Sequence, residues 1–460
     1  MTLKFAASDT PSLPLFVVSK ERLKSWRADQ PDTTNAWLDS TGFTANLGQT
    51  TILPGADGSA NGAVFGSGDK SDHARHRFVL AMAQAKLPNG TFHLSGDLDD
   101  LDLEEQALGW LLSQYRFDKY AKTKGACAAL IAPKGIDAKR IEAMAAGEEL
   151  TRDLINTPTF DMGPDRLHAI CNKLAAQHRA KISAIVGDEL LDQNFPMIHT
   201  VGRASATLPR LIQMNWGKSG PKLTLVGKGV CFDTGGLNLK PGASMGLMKK
   251  DMGGAATVLG LAHMIMALKL PIQLCVLIPA VENSVSANAF RPGDILTSRK
   301  GLTVEINNTD AEGRLGLADA LALADETPPD LVISMATLTG AARVAVGPDL
   351  APFYATDPNM AQSIRNGALA GADPVWEMPF HTPYEPMIEP GIADLDNAPK
   401  GGFGGSITAA LFLRRFVEAT PYLHFDIYGW QPSGAPARPK GGAGQGARAI
   451  LNALPEILGL

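Results

Sequence analysis

The stretch VGKGVCFDTGGLNLKPGASMGLMKKDMGG, from Val226 to Gly254, decides the fold, and a shorter stretch, NNTDAEGRL from Asn307 to Leu315, complements it. Between them they set aspartates, a glutamate, lysines and an arginine among glycines and beside apolar runs. Burying unpaired charge is costly, so such a cluster needs partners. Lys228, Lys240 and Arg314 supply only part of the positive charge that four carboxylates require. We therefore expect divalent metal ions to supply the rest.

Strand-like and helix-like segments alternate on both sides of these motifs. Near-continuous apolar strands separated by helical patterns are typical of a mostly parallel sheet covered on both faces. The predicted strands are KISAIV (181–186), LIQMNW (211–216), KLTLVG (222–227), IQLCVLIPA (272–280), TVEINN (303–308) and DLVISMA (330–336). The predicted helices are GPDRLHAICNKLAAQH (163–178), GGAATVLGLAHMIMAL (253–268) and AEGRLGLADALALADE (311–326).

The two motifs follow predicted strands, which indicates where they meet. Lys228 comes after KLTLVG, Asp310 comes after TVEINN, and Asp251 precedes a helix that begins with two glycines. Ligands of open α/β sheets lie beyond the carboxyl ends of the strands. We therefore expect both motifs to converge at one edge of the sheet.

The first third of the chain predicts a separate small domain. A chain of 460 residues exceeds one ordinary core. Residues 1–135 combine short β-type runs (43–66), an amphipathic helix in 97–120 and a buried strand in CAALIAP (127–133), with no evident chemistry. A helix from Asp137 to Asn156, within a 136–158 connection, leads to residues 159–460. The predicted fold class is α/β with two domains, a small N-terminal α/β domain and a larger C-terminal domain with a central, mostly parallel sheet flanked by helices.

Composition narrows the class of protein. Apolar residues make up 45% and charged residues 19% of the chain, and no apolar run is long enough to span a bilayer. The start of the chain shows no basic segment leading into an apolar one, so we expect no secretory signal. The net charge of -5 argues against nonspecific binding to nucleic acid or acidic membranes. Four scattered cysteines indicate neither a disulfide framework nor a zinc knuckle, and favour a reduced, cytoplasmic protein.

The motifs also resemble those of a known family. VGKG…FDTGG…LKP…DMGGAA and NTDAEGRL are similar to segments of the leucyl aminopeptidase family, the two-metal cytosol aminopeptidases. The similarity covers the C-terminal two thirds of the chain well and the first third loosely. It implies a metal-dependent aminopeptidase that hydrolyses the N-terminal residue from short peptides, and it makes 159–460 the catalytic domain.

The resemblance assigns a role to each charged residue. Asp233 and Glu312 would bridge two divalent ions, Lys228 and Asp251 would complete the tighter site, and Asp310 the more exchangeable one. Manganese or zinc is expected there, with cobalt as a further candidate. A lysine ligand must be a neutral amine, so its pKa must fall from about 10.4. In the family the equivalent of Lys240 is an electrophile, and that of Arg314 holds a bicarbonate that acts as general base towards a bridging water activated by the metals.

The resemblance also indicates a substrate cleft and an assembly. One departure from the family lies near the C-terminus, where the usual W-A-H-x-D-I-A-G is replaced by YLHFDIYG, so that Tyr428 stands in place of a small alanine. Tyr428 is expected to narrow the pocket for the first side chain, or else to point into the core. The family forms hexamers with enclosed active sites, which predicts a homo-hexamer. The residues expected to line the cleft are Met248, Asn308, Thr337, Leu338, Gly340 and Tyr428.

Two other functions compete with this interpretation. Gly242 to Gly246 fits G-x-S-x-G, a serine-hydrolase motif with Ser244 as nucleophile. Lys240-Pro241 precedes it, which disfavours the required central strand, and no histidine partner is evident. An added DNA-binding or regulatory role, which some family members have, lacks a basic cluster in residues 1–135. Nucleic acid and membranes are therefore not expected partners.

Overall fold

A computed structural model describes residues 3–96, 98–121 and 127–460. The chain divides into two compact units, the first running to Glu149 and including Ser433–Lys440, the second comprising Leu150–Pro432 and Gly441–Leu460. No sequence pattern indicates that Ser433–Lys440 joins the first unit. Within the described ranges, no helix is both long and apolar enough to cross a membrane.

The first unit contains a five-stranded sheet in the order β2-β3-β1-β4-β5. Its strands are β1 Leu13–Ser19, β2 Thr50–Pro54, β3 Ala60–Gly68, β4 Gly90–Gly96 and β5 Ala128–Leu130. Its helices are α1 Leu23–Ala28, α2 Asp32–Ser40, α3 Lys70–His73, α4 Ala81–Gln84 and α5 Leu103–Ser113.

Helix α5 begins where Asp102 accepts hydrogen bonds from the backbone amides of Glu104 and Glu105. Leu108, Leu111 and Leu112 on this helix and Tyr115 just beyond it are buried, which agrees with an amphipathic helix. The helix ends well before the end of the predicted 97–120 segment, of which Asp97 lies outside the described residues. Helix α6, Ala138–Asn156, then carries the chain across the boundary between the two units.

The second unit is organised around a sheet in the order β15-β14-β17-β13-β8-β10-β7-β6, with β9 also paired to β10. The central pairs are parallel: β17 with β13, β13 with β8, β8 with β10, and β10 with β9. Three other pairs are antiparallel: β10 with β7, β7 with β6, and β17 with β14. These strands are β6 Lys181–Val186, β7 Arg210–Trp216, β8 Lys222–Gly227, β9 Gly229–Asp233, β10 Gln273–Asn283, β13 Leu331–Ala336, β14 Ala351–Ala355, β15 Val375–Glu377 and β17 Tyr422–Asp426. The predicted fold class is confirmed.

Two smaller sheets complete the described strands: β11 Ile295–Thr297, β12 Thr303–Glu305 and β16 Leu395–Asp396 in one, and β18 Trp430–Gln431 with β19 Gly441–Gly442 in the other. This corrects one prediction, because TVEINN does not supply a strand of the central sheet. Only Thr303–Glu305 is extended, and it pairs with β11 and β16. Apolar patterning predicts a strand but cannot identify its hydrogen-bonding partners.

Helices cover the central sheet of the second unit. Helix α11 is buried along nearly its whole length, which explains why GGAATVLGLAHMIMA is apolar all round. The α-helices are α7 Pro164–His178, α8 Glu189–Asp192, α9 Pro196–Gly202, α10 Gly242–Met245, α11 Gly253–Ala267, α12 Gly313–Glu326, α13 Gly340–Val346, α14 Pro358–Ala370, α15 Gly405–Arg414 and α16 Ala447–Leu458. Short 3-10 helices lie at Thr159–Asp161, Met248–Met252 and Thr382–Ile388.

Candidate active site

The two motifs meet at the ends of β8 and β9. Lys228 lies between these strands, and its backbone N–H donates to the Met335 carbonyl of the neighbouring strand β13. Asp233 ends β9, and Asp251 lies in the 3-10 helix that precedes α11. Glu312 immediately precedes α12. The predicted convergence therefore occurs, although Asp310 and Glu312 reach it from a loop outside the central sheet.

Close backbone packing brings these segments together. A side chain at Gly254 would collide with the Met335 carbonyl, so only glycine lets α11 begin this close to β13. A side chain at Gly313 would collide with the Lys228 side chain, so α12 can begin directly against that lysine. The glycines of both motifs thus set the distance between the charged groups.

Two lysines interleave with four carboxylates in this cluster. Lys228 Nζ lies 2.7 Å from Asp251 Oδ2 and 3.0 Å from Glu312 Oε1. Lys240 Nζ lies 2.9 Å from Asp233 Oδ2 and also forms an ion pair with Asp310. Ligand oxygens of Asp233, Asp310 and Glu312 all lie within 4.8 Å of one another. All of these groups except Lys240 and Asp310 are almost completely buried.

Polar neighbours hold the carboxylates in place. Asn283 Nδ2 donates to Asp233 Oδ1 at 2.8 Å, and the backbone N–H of Gly235 donates to the same oxygen. Thr337 Oγ1 donates to Asp251 Oδ1 at 2.8 Å. Each aspartate therefore has one oxygen satisfied by the protein and the other directed towards the cluster. Asn283 could not be identified from the sequence, because no spacing rule links it to either motif.

Several carboxylate oxygens fit a metal site. Asp251 Oδ2, Asp310 Oδ1 and Glu312 Oε1 are buried without a hydrogen-bond partner of regular geometry among the described residues, although lysine ammonium groups lie beside them. Two ammonium groups are thus shared among four carboxylates, which leaves the cluster short of positive charge. Hard divalent cations prefer such oxygen ligands, so this donor set suits them.

Burial and mutual repulsion disfavour the ionised form of two carboxylates in the cluster, Glu312 and Asp233. Burial, together with the neighbouring carboxylates, raises the pKa of Glu312 to about 8 and that of Asp233 to about 6. Burial lowers the pKa of Lys228, but Asp251, Glu312 and Asp233 outweigh burial and hold this pKa above its usual value. Divalent cations would reverse both tendencies by favouring ionised carboxylates and a neutral amine. That Lys228 becomes such a ligand stays a prediction.

A cavity of about 480 Å³ opens onto this cluster. Most of the residues predicted from the sequence line it, namely Lys228, Asp233, Lys240, Met248, Asp251, Asp310, Thr337, Leu338, Gly340 and Tyr428. Glu312, Arg314 and Asn308 do not line it, although Glu312 touches the cluster through Lys228. The side chain of Asn308 instead accepts a hydrogen bond from the backbone of Asp310. The cavity thus gives a small molecule access to the buried carboxylates.

Comparison with known proteins agrees with this geometry. Residues 149–451 match the model of the cytosol aminopeptidase family, catalytic domain, and residues 13–133 match the M17 aminopeptidase N-terminal domain. The chain belongs to the cytosol aminopeptidase family. The predicted family and the prediction of a metallo-aminopeptidase are therefore confirmed.

Individual relatives show how far the similarity extends. A probable cytosol aminopeptidase of Geobacter is 35% identical over 440 residues, covering 90% of this chain and 89% of the relative. One from Roseiflexus castenholzii is 42% identical over 320 residues, covering 68% of this chain and 65% of the relative. The crystal structure of the Coxiella burnetii cytosol aminopeptidase has a TM-score of 0.93 at 39% identity and covers 99% of both chains. The bottromycin maturation enzyme BotP in complex with Mn has a TM-score of 0.86 at 28% identity, covering 97% of this chain and 99% of BotP.

Arg314 lies apart from the cavity wall, in the first turn of α12. It is buried, and its guanidinium donates to the Asn397 carbonyl at 2.6 Å. Its Nε is buried without a hydrogen-bond partner among the described residues. Burial lowers the pKa of Arg314, against the effect of the Glu312, Asp426 and Asp396 carboxylates. A free N–H donor on a buried cation is suited to an anion.

Tyr428 lines the cavity and is half-buried, so the alternative that it points into the core does not hold. Two cations lie over its ring: Lys250 Nζ is 5.1 Å and Arg343 Cζ is 4.9 Å from the ring centroid. Both cations also line the cavity. Neither cation is evident from the sequence, because Lys250 lies beside a predicted metal ligand and Arg343 lies in no motif.

Ser244 lacks the surroundings of a nucleophile. It lies in the exposed four-residue helix α10, preceded by Pro241 rather than by a strand. Histidine is absent from the described lining of the cavity. No histidine among the lining residues is therefore available to Ser244 as a general base.

Proposed function

We propose that this metallo-aminopeptidase removes the N-terminal residue from short peptides with two divalent metal ions held by Lys228, Asp233, Asp251, Asp310 and Glu312. The observation that carries the proposal is the cluster of four carboxylates, whose inward oxygens have only two lysine ammonium groups beside them among the described residues, next to an open cavity. Bound there, two metal ions would act as Lewis acids and lower the pKa of a water molecule, which makes a nucleophile available at neutral pH.

Manganese or zinc suits this site best, with cobalt as a further candidate. The ligand set is oxygen-rich, which favours manganese among these ions, while the borderline character of zinc accommodates an amine as well. Support for manganese also comes from BotP, whose structure was determined in complex with Mn.

Lys240 is proposed as the electrophile. Its ammonium lies at the cavity wall and is held by Asp233 and Asp310. Those two carboxylates outweigh burial and keep the pKa of Lys240 above its usual value, so it is a cation at neutral pH. A fixed positive charge stabilises an oxyanion more than the neutral carbonyl from which it forms. Lys240 would therefore act chiefly on the transition state.

Arg314 is proposed to hold a bicarbonate ion that accepts a proton. The support is its buried, unpartnered Nε and the absence of histidine from the described cavity lining. A guanidinium binds planar oxyanions through paired N–H donors. Arg314 would thus position a base beside a cavity whose described lining contains no histidine.

The wall of the cavity is proposed to select the substrate. Thr337, Leu338 and Gly340 follow β13, and Met248 lies on the facing 3-10 helix. Asp426 holds this segment by accepting hydrogen bonds from the backbone amides of Leu338 and Thr339 at 3.1 and 3.0 Å. Tyr428 would bound the pocket for the first side chain. The assignment of Asn308 to the substrate cleft rests only on the resemblance to the family.

Assembly and location are extensions of the same proposal. We propose a homo-hexamer in the cytoplasm, on the resemblance to the family and on the name cytosol aminopeptidase that its relatives carry. Large side chains such as Phe160, Val344 and Phe403 are more than four-fifths exposed, which is consistent with further contacts. Light scattering tests the assembly, and a monomer at working concentration would contradict it.

The decisive experiment is the release of leucine from leucyl amide. We expect activity in the metal-loaded protein, its loss after complete chelation, and its return with Mn²⁺, Zn²⁺ or Co²⁺. Insensitivity to serine-directed reagents is expected at the same time. Activity that survives verified removal of all metal would contradict the proposal.

A further inference from the structure

The cations that line the cavity fall into two groups. Lys228 and Lys240 each contact two carboxylates within ion-pair distance. Lys250 and Arg343 have no carboxylate within that distance among the described residues, yet both line the same cavity. One part of the cavity lining is thus the cluster of carboxylates and paired lysines. Another part carries the two cations Lys250 and Arg343 without a carboxylate at ion-pair distance.

Lys250 is the more unusual of the two. Its residue is only 6% exposed, and its ammonium makes no hydrogen bond or ion pair with the described chain. Its closest charged neighbour in sequence, Asp251, is already paired with Lys228. A lysine with this little exposure and no carboxylate at ion-pair distance is suited to an anion that enters the cavity. The ring of Tyr428 compensates only part of the cost of burying its charge.

Arg343 extends the same positive surface to the mouth of the cavity. It lies on α13, is exposed, and places its guanidinium over the ring of Tyr428. A guanidinium binds a carboxylate through two parallel N–H donors, whereas a lysine supplies a point charge. The buried lysine and the exposed arginine therefore offer complementary donors on either side of one aromatic residue in the wall.

We propose that Lys250 and Arg343, placed around Tyr428, form a receptor for the carboxylate of an acidic first residue, so that the enzyme accepts peptides beginning with glutamate or aspartate. This rests on the proposed function, because Tyr428 bounds the first side-chain pocket only if the cavity binds a peptide N-terminus. The same cations also offset the repulsion that the carboxylate cluster exerts on an acidic substrate.

Comparing glutamyl with glutaminyl substrates isolates this interaction, because the two side chains have nearly the same shape. A hydrogen bond to a charged group stabilises a complex more than one to a neutral group, and the difference corresponds to about a tenfold preference for the carboxylate over the amide. We therefore expect kcat/KM for glutamyl arylamide to exceed that for glutaminyl arylamide by about tenfold in the metal-loaded enzyme. Arylamides carry no C-terminal carboxylate, so the side chain is the only carboxylate present.

Substitutions then test the two cations. Lys250→Met and Arg343→Met should each reduce the glutamyl-to-glutaminyl ratio of kcat/KM about tenfold, while Lys250→Arg should retain most of it. Lys249→Met is the matched control, since Lys249 donates to the Asn156 carbonyl and does not line the cavity. Its ratio should equal that of the parent. Arg343 is exposed, so its variant tests the proposal even if Lys250→Met folds poorly.

Other results of these experiments would overturn either this inference or the proposed function. Hydrolysis of leucyl arylamide with a glutamyl-to-glutaminyl ratio at or below one overturns this inference and leaves the proposed function intact. A ratio unaffected by both substitutions overturns it as well. If Lys250→Met instead slows Leu-Leu relative to Leu-Leu amide, the cations bind the C-terminal carboxylate of dipeptides. If no substrate is hydrolysed, the proposed function fails, and calorimetry with glutamate and glutamine still decides whether these cations bind the acidic side chain.

Discussion

Lys228 and Asp251 form a buried ion pair, with 2.7 Å between Nζ and Oδ2. Both side chains are about 5% exposed. Removing one member of such a pair is strongly destabilising, by about 3–5 kcal/mol, because the other charge is left buried. In this enzyme the pair lies where metal ions are proposed, so its loss affects both stability and metal content.

We predict that Asp251→Ala and Glu312→Ala lose bound metal and nearly all activity. Parent enzyme should be stabilised by added Mn²⁺, by about 2.7 kcal/mol when the ion exceeds its dissociation constant a hundredfold. The two variants should gain far less. Elemental analysis of purified protein and Tm with and without Mn²⁺ are the measurements. A variant with full metal content would remove its residue from the ligand set.

Lys240→Ala should behave differently, because Lys240 is proposed to act on the transition state. We expect retained metal and a fall in kcat of about 10²–10³, the effect of losing one oxyanion-stabilising group. KM should change much less. The measurements are kcat, KM and metal content on the same preparation. Depletion of metal as severe as in Asp251→Ala would show that Lys240 belongs with the ligands.

Tyr428→Ala tests the departure from the family pattern. The ring lines the cavity, so its removal should enlarge the first side-chain pocket. One methylene changes discrimination by only about 1–3 kcal/mol, and a ring is larger than that. We expect the ratio of kcat/KM for phenylalanyl to leucyl amide to rise in the variant, with alanyl amide as a third point. An unchanged ratio in a folded variant would mean that Tyr428 does not shape this pocket.

Much of this arrangement was predictable from local sequence. Strands β6 and β8 have the predicted bounds, since each is a short apolar run between turn residues. The convergence of the charged residues of the two motifs was predictable, because the ends of the strands and the glycines restrict the positions of the loops that carry these residues. The features that were predicted wrongly or missed depend on contacts between residues far apart in the sequence. TVEINN pairs outside the central sheet, and Asn283, which is 50 residues from Asp233 along the chain, holds that carboxylate without any sequence signal.

Lys250 shows a further limit of sequence reasoning. From the sequence, a lysine next to an aspartate that is a predicted metal ligand would be expected to form an ion pair with that carboxylate. The structure shows instead that Asp251 pairs with Lys228, which leaves Lys250 over the ring of Tyr428. Which cation pairs with which carboxylate depends on side-chain packing across elements far apart in the chain. Residue type and spacing alone do not determine it.

The last prediction concerns His424, which is fully buried in β17. Its Nδ1 is 2.8 Å from Ser334 Oγ, and its Nε2 has no hydrogen-bond partner among the described residues. Burial, together with the charge of Arg314, lowers the pKa of His424 to about 3. Unfolded histidine titrates near 6.5, so between the two values the unfolded chain binds the extra proton. The free energy of unfolding should therefore fall as pH drops below about 6.5, by up to about 1.4 kcal/mol per pH unit from this residue alone.

His424→Asn should remove this acid sensitivity, because asparagine retains a hydrogen-bonding group for Ser334 and does not titrate. We expect the variant to be less stable than the parent at pH 7.5, since it is smaller and leaves a cavity. The difference in stability should shrink as pH falls to 5, and denaturant unfolding at several pH values measures it. His381→Asn, on an exposed residue of the same unit, is the control and should follow the parent. A pH dependence identical in His424→Asn and the parent would show that His424 gains no proton on unfolding in this range.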